Sequence, residues 1–264
     1  MAKIDPTGLE AYKPAEIAVL VEASGAAKAR LPAVRMFTLA VLAGVFIALG
    51  GSAYTMTMTG ADPGFGPARL LGGVAFSLGL ILVIVGGAEL FTGNALMVMA
   101  AVDRKIRLTE LLRSWTIVYL GNFAGSVALV LLVAFSGLLE AAFGETAVAI
   151  AEGKARLGAL EAFLRGVLCN LLVCLAVWLT LAARSVAGKI LAIVWPISTF
   201  VLLGFEHSVA NMYLIPQGMF AGAAVSWGDF GGNLLYVTLG NVVGGAGGVA
   251  LAYRLAYGPP DSGG

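Results

Sequence analysis

Charge is what this sequence lacks most. Of its 264 residues only 12% are Asp, Glu, Lys or Arg, about half of the ~25% that a soluble domain carries. Histidine is almost absent, His207 being the single copy. Cysteine is limited to Cys169 and Cys174, five apart in one apolar run, which reads as small buried apolar residues. One histidine and two poorly aligned thiols cannot assemble a zinc, haem-pair or di-iron site, so no metal is expected. There is no basic block of the kind that binds nucleic acid. A Gly-x-Ser-x-Gly elbow is also missing, and Ser208 adjoins His207 in sequence rather than facing it, so nucleophilic catalysis is not expected. Residues 1 to 30 mix Lys3, Asp5, Glu10, Lys13, Glu16 and Glu22 before any long apolar run, unlike a signal peptide.

What is present is apolar: 59% of residues, with mean hydropathy +0.94. The runs reach the ~20 residues that a bilayer-spanning helix needs, and the ten-residue alternation of an outer-membrane barrel does not occur. The fold class expected is all-α integral membrane. Residues 14–30 predict an amphipathic helix, with Pro14 suited to the first turn and Ile17, Leu20, Val21 and Ser24 at helical spacing. It should lie on the membrane surface or against a neighbour. Six apolar spans follow, near 34–56, 70–99, 109–138, 158–182, 189–219 and 233–256. This divides the chain into an N-terminal segment (1–33), a transmembrane domain (34–256, with repeats at about 34–138 and 158–256) and a tail (257–264). Of the 16 Lys and Arg residues, only Arg69, Lys154, Arg156 and Arg165 fall on one side of these spans. The other side holds the rest, which predicts that both termini are cytoplasmic.

Spans two and five run to about 30 residues, more than a straight crossing of ~30 Å requires. Each contains glycine and an acid, in Gly87-x-Glu89-x4-Asn94 and Gly204-x-Glu206-x4-Asn211. The offset between them is 117 residues. One span later Leu120-Gly121-Asn122-x-x-Gly125 matches Leu239-Gly240-Asn241-x-x-Gly244, at an offset of 119. Surplus length plus glycine predicts broken helices, tolerated in a membrane only where the freed backbone lines a cavity or is buried in protein. A unit of three spans is odd, so the second unit enters the membrane inverted. The glycines of the second motif are read as allowing close helix packing.

An ionised carboxylate in the bilayer costs at least ~2.5–3.5 kcal/mol. Glu89 and Glu206 are therefore expected to accept hydrogen bonds from the freed amides of the breaks. Asn170, isolated among leucines in span four, is a candidate partner for them. His207 stands in the second break opposite the Leu90-Phe91-Thr92 stretch. Its unperturbed titration near pH 6.5 makes it the candidate pore residue.

The strings GAELFTGN, CNLLVCLAVW and GFEHSVANM followed by YLIPQGM resemble the formate/nitrite transporter family, in order over roughly residues 30 to 256. The resemblance implies an aquaporin-like fold of six helices in an inverted repeat, a homopentamer with one pore per protomer, and a place in the bacterial inner membrane. It implies transport of formate, with nitrite or hydrosulfide as near alternatives, together with protons and without a cofactor. By the same resemblance the pore histidine and its facing threonine fall on His207 and Thr92. The apolar constrictions fall on Phe76, Leu80 and Phe200, and the vestibule lysine on Lys154. Asn170, Glu206 and Asn211 match the polar residues around the histidine, with Glu89 and Asn94 as the counterparts of the last two. Gln217 departs from the family's Ile-Pro-x-Gly continuation, where an apolar residue is expected. An aquaporin-like neutral-solute channel is the different-class alternative, but neither break contains Asn-Pro-Ala.

Overall fold

The computed structural model describes residues 11–258. Residues 1–10 of the expected N-terminal segment and 259–264 of the expected tail lie outside the described residues. Among the described residues there are helices and connections but no strand. Six helices are long and apolar enough to cross a membrane. They are α2 (Ala33–Met58), α3 (Gly66–Gly86), α5 (Leu108–Phe135), α7 (Ala159–Ala182), α8 (Val186–Leu203) and the unit that starts at Trp227. This last unit comprises α10 (Trp227–Val242), a π-helical stretch (Val243–Leu251) and α11 (Ala252–Tyr257).

Both predicted breaks are present. After α3 the chain turns at Gly87, with φ +79°, and re-enters as a 3-10 turn (Gly93–Met97) and short α4 (Val98–Val102). After α8 it turns at Gly204, with φ +70°, and re-enters as α9 (Ser208–Phe220). Left-handed backbone of this kind favours glycine, because a Cβ would crowd the following carbonyl. The two halves differ in length, since the first re-entrant piece has five residues of 3-10 turn and five of α-helix, and the second is a helix of 13 residues.

α2 packs on α3 and α5, and α7 packs on α8 and α10, while α3 and α8 face each other. This is the inverted repeat in three dimensions. Its helices are drawn together by glycine: a Cβ at Gly125 would lie 2.0 Å from the Val41 carbonyl oxygen, and one at Gly244 2.1 Å from that of Val167. The two sites occupy matching positions of the Gly-Asn-x-x-Gly motif, so the packing reading of these glycines holds.

Three features depart from the sequence reading. The sixth span begins at Trp227 rather than near 233, because Ser226 and Asp229 form a capping box there. Its middle is π-helical, where Gly245 sits so close to Asn170 that a Cβ would lie 2.4 Å from the amide nitrogen. The connection between spans three and four contains an additional helix, α6 (Ala141–Ala155). Its buried Phe143, Gly144, Ala147 and Ala151 line one face against α9.

The expected N-terminal helix is α1 (Pro14–Ala29), which buries Ile17, Ala18, Val21, Glu22, Gly25 and Ala29 against the re-entrant piece and α7. Ion pairs Glu22–Lys105 and Asp103–Arg254 gather α1, the α4–α5 turn and α11 at one end of the molecule.

Substituting Gly125 or Gly244 by alanine should destabilise the fold by about 1–3 kcal/mol or more, because the overlap is with backbone. Gly153→Ala, where nothing lies within 4 Å, should be neutral. Thermal unfolding in detergent separates the three variants, and equal midpoints would refute the close-packing account.

Candidate functional site

The two breaks meet at the centre of the fold, and asparagines hold them open. Asn122 on α5 accepts from the Phe91 N–H through Oδ1 at 2.9 Å. Its Nδ2 donates to the carbonyls of Glu89 at 2.9 Å and Ala40 at 2.8 Å. Asn241 on α10 repeats the arrangement, accepting from the Ser208 N–H at 2.9 Å and donating to the carbonyls of Glu206 at 2.9 Å and Gly166 at 2.8 Å. The Glu89 and Glu206 N–H groups donate to the carbonyls of Leu39 and Arg165. These groups of the freed backbone are thus matched within the protein, as a non-aqueous interior demands.

Sequence reasoning had assigned those backbone amides to the two acids, and the geometry assigns them elsewhere. Glu206 is held by Lys154 Nζ at 2.8 Å and Asn211 Nδ2 at 2.6 Å. Glu89 is held by Lys28 Nζ at 3.0 Å and Asn94 Nδ2 at 2.9 Å. Asparagine side chains take the Phe91 and Ser208 amides, and backbone carbonyls take those of Glu89 and Glu206. Asn211 also donates to Asn233 at 2.8 Å, and Asn233 donates to the Lys154 carbonyl at 3.0 Å. This closes a polar ring around the Glu206 carboxylate. Lys28, Asn122, Asn233 and Asn241 were absent from the predicted site. The Leu-Gly-Asn repeat was the signal for two of them, but it was read only for its glycines.

Asn170 does not bond to either acid. Its Nδ2 donates to the carbonyls of Thr92 at 3.2 Å and Asn241 at 2.6 Å. Together with the Cys174 thiol, which donates to the same Thr92 oxygen at 3.4 Å, it fixes the backbone of Thr92. That residue faces His207 across the site, with Oγ1 and Nε2 2.9 Å apart. The ring's other nitrogen, Nδ1, accepts from the Ala210 N–H at 3.0 Å, so His207 is the N-cap of α9. An Nδ1 that accepts carries no hydrogen; the neutral ring therefore holds its proton on Nε2 and donates to Thr92. Thr92 keeps a free O–H to present to a third group.

One small chamber is lined by His207, and another lies beside the first break, lined by Leu90 and Gly93 on either side of Thr92 in the chain. In the first, Phe76, Phe200, Arg69, Lys154 and His207 line a space of about 70 Å³. The Phe76 and Phe200 rings meet edge to face at 5.5 Å, and Phe200 stacks over His207 at 6.0 Å. A vestibule of about 570 Å³ opens beyond it, sharing Tyr54, Arg69, Lys154 and Gly204 with the chamber. In the second, Leu80, Leu90, Asn94, Lys28 and Gly25 line about 50 Å³ beneath α1. The residues predicted as constrictions therefore divide, Phe76 and Phe200 toward the vestibule and Leu80 toward α1. His207, Thr92, Phe76, Leu80 and Phe200 are all at least nine-tenths buried. Among the described residues no group of three or more His, Cys, Asp or Glu could hold a metal.

A sequence profile described as "Formate/nitrite transporter" matches residues 15–255. The chain belongs to the formate/nitrite transporter family. It is 42% identical to the uncharacterized transporter YrhG of Bacillus subtilis strain 168, over 93% of both chains. It is 39% identical to the formate channel FocA of Escherichia coli K12, over 92% of this chain and 94% of that one. Among solved structures, one described as a pentameric formate channel with formate bound covers 85% of this chain and 97% of its own, at 40% identity and a TM-score of 0.79. These are transporters and channels, and like them this chain is a multi-pass membrane protein rather than an enzyme.

Removing one partner of a buried ion pair leaves an uncompensated charge, at a cost of about 3–5 kcal/mol. The Lys154 and Glu206 side chains are 17% and 4% exposed. Lys154→Met should therefore lower the unfolding midpoint in detergent sharply, and adding Glu206→Gln should recover most of it. A double variant no more stable than Lys154→Met would refute the pairing.

Proposed function

We propose that this chain carries formate across the bacterial cytoplasmic membrane as a proton-accompanied, channel-like pore. The observation that supports it most directly is the His207–Thr92 contact of 2.9 Å at the meeting point of the two breaks, with one chamber lined by His207 and another beside the first break at Leu90 and Gly93. A bare anion is strongly disfavoured between Phe76 and Phe200, whereas its neutral acid is not. An anion reaching Thr92 accepts its free O–H. The ring can take a second proton only at Nδ1, which requires the Ala210 N–H to let go. The resulting imidazolium passes its Nε2 proton to Thr92 Oγ1 as the threonine hydroxyl proton passes to the anion. Formic acid results and leaves a neutral ring with its remaining proton on Nδ1; α9 regains its cap, a bond worth about 1 kcal/mol, once that proton leaves Nδ1 and Nε2 is protonated again.

Formate is preferred because two of the relatives named above are described as formate channels. Nitrite, which shares its charge and paired oxygens, is the alternative within the family. The pentamer named in the solved relative fits the exposed apolar faces here, where Phe135, Trp195 and Leu191 are 86%, 65% and 64% exposed and require lipid or a neighbouring copy. The Lys and Arg asymmetry of the sequence supports placing both termini, with α1 and the Lys28 chamber, on the cytoplasmic side.

The test is formate uptake into proteoliposomes across a pH series. His207→Asn keeps an N-cap side chain but cannot titrate, so it should assemble and carry formate with a flattened pH profile. His207→Phe should lose the acid stimulation together with the cap. An unchanged profile in His207→Asn would overturn the relay.

A further inference from the structure

We propose that Arg69 is the anion-docking residue of the outer chamber, holding a two-oxygen anion in front of the Phe76–Phe200 constriction. The inference rests on the formate reading and assigns the docking charge to a residue that reading does not use. Three cations line the vestibule: Arg69, Lys154 and Arg165. Lys154 is neutralised by Glu206 at 2.8 Å. Arg165 is neutralised by Glu161 at 2.6 Å and also donates to the Gly204 carbonyl at 3.1 Å. The Arg69 guanidinium has no ion-pair or hydrogen-bond partner among the described residues. Its charge is the one left for a ligand.

Position agrees with this. Arg69 lines the open vestibule and the small chamber against His207 alike. Its Nη2 lies where it would be 2.9 Å from a Cβ on Gly204, so the guanidinium rests on the turn of the second break. Arg69, Phe76 and Leu80 are spaced seven and four apart along α3, which places them on one helix face. At 1.5 Å per residue the guanidinium's residue stands ~10 Å outside Phe76. The same face thus presents a cation, then an aromatic, then a leucine toward the centre. Of the acids near the mouth, Glu145 is exposed on the vestibule wall, and Asp62 accepts from the Gly64 N–H at 2.7 Å.

Chemistry selects the ligand class. Guanidinium is charged at every physiological pH, weakly hydrated, and presents parallel N–H groups that match two oxygens. Formate and nitrite both offer such a pair; hydrosulfide offers one atom. Arg69 therefore sets the preference between two-oxygen and one-atom anions, and the docked anion then gives up the fork when it takes a proton.

The experiment measures formate, nitrite and hydrosulfide flux in proteoliposomes over a concentration series. Absence of formate flux in the wild type would remove the formate reading itself. With wild-type flux present, Arg69→Gln should raise half-saturating formate about tenfold, the loss of one charge-assisted contact, with maximal flux within about twofold. Unchanged half-saturation would overturn the proposal. Arg69→Lys keeps the charge without the fork, so formate and nitrite flux relative to hydrosulfide should fall about threefold at low substrate. If Arg69→Gln does not assemble, that ratio decides alone, and an unchanged ratio overturns the proposal.

Discussion

A backbone interrupted inside a membrane must have every freed N–H and C=O answered by protein, because no water is there to answer them. In this chain two asparagine side chains give the central part of the answer. Asn122 and Asn241 each close three bonds on backbone groups, two of them within the break they serve. Everything at the centre depends on that. With the Phe91 and Ser208 amides spent on asparagine, each acid pairs with a lysine; with the turns held, His207 and Thr92 reach each other.

The repeat makes a scaffold, and the proposed pore pair stands where the repeat fails. Glu89 with Asn94 and Lys28 mirrors Glu206 with Asn211 and Lys154. His207 has Leu90 as its counterpart, a hydrophobic residue that lines the chamber beneath α1. One break therefore presents an imidazole and the other a threonine, and the pair bridges the two halves. The asymmetry extends outward, since α9 is a full helix capped by His207 whereas the first re-entrant piece begins as a 3-10 turn and is only half α-helical.

Much of this was legible in one dimension. Surplus length, glycine and a buried acid located both breaks to within a residue or two, and two motif matches at nearly equal offset revealed the inverted unit. Other parts were hidden for identifiable reasons. α6 is short and mixed in polarity, so the text between Phe135 and Ala159 carries no span signal. Lys28 and Lys154 look like solvated charges in sequence, and only packing brings each to its acid. Asn122 sits in a motif whose glycines have an obvious use, which masked the second use of the asparagine between them. Gln217, unexpected beside apolar neighbours, is buried and donates to Thr55 Oγ1 at 2.8 Å, a bond to α2 that no local pattern announces.

By itself the sequence determined how many times the chain crosses, where it breaks, which residues repeat and which one does not. Those properties follow from hydropathy, chain length and glycine's backbone freedom, all local. Only the tertiary structure decided which donor meets which acceptor. The His207–Thr92 contact joins residues 115 apart, and the pairing of Lys154 with Glu206 joins residues 52 apart. Among the described residues none claims the Arg69 guanidinium, for the same reason: hydrogen bonds act over about 3 Å, and what lies within that reach is set by how the helices pack.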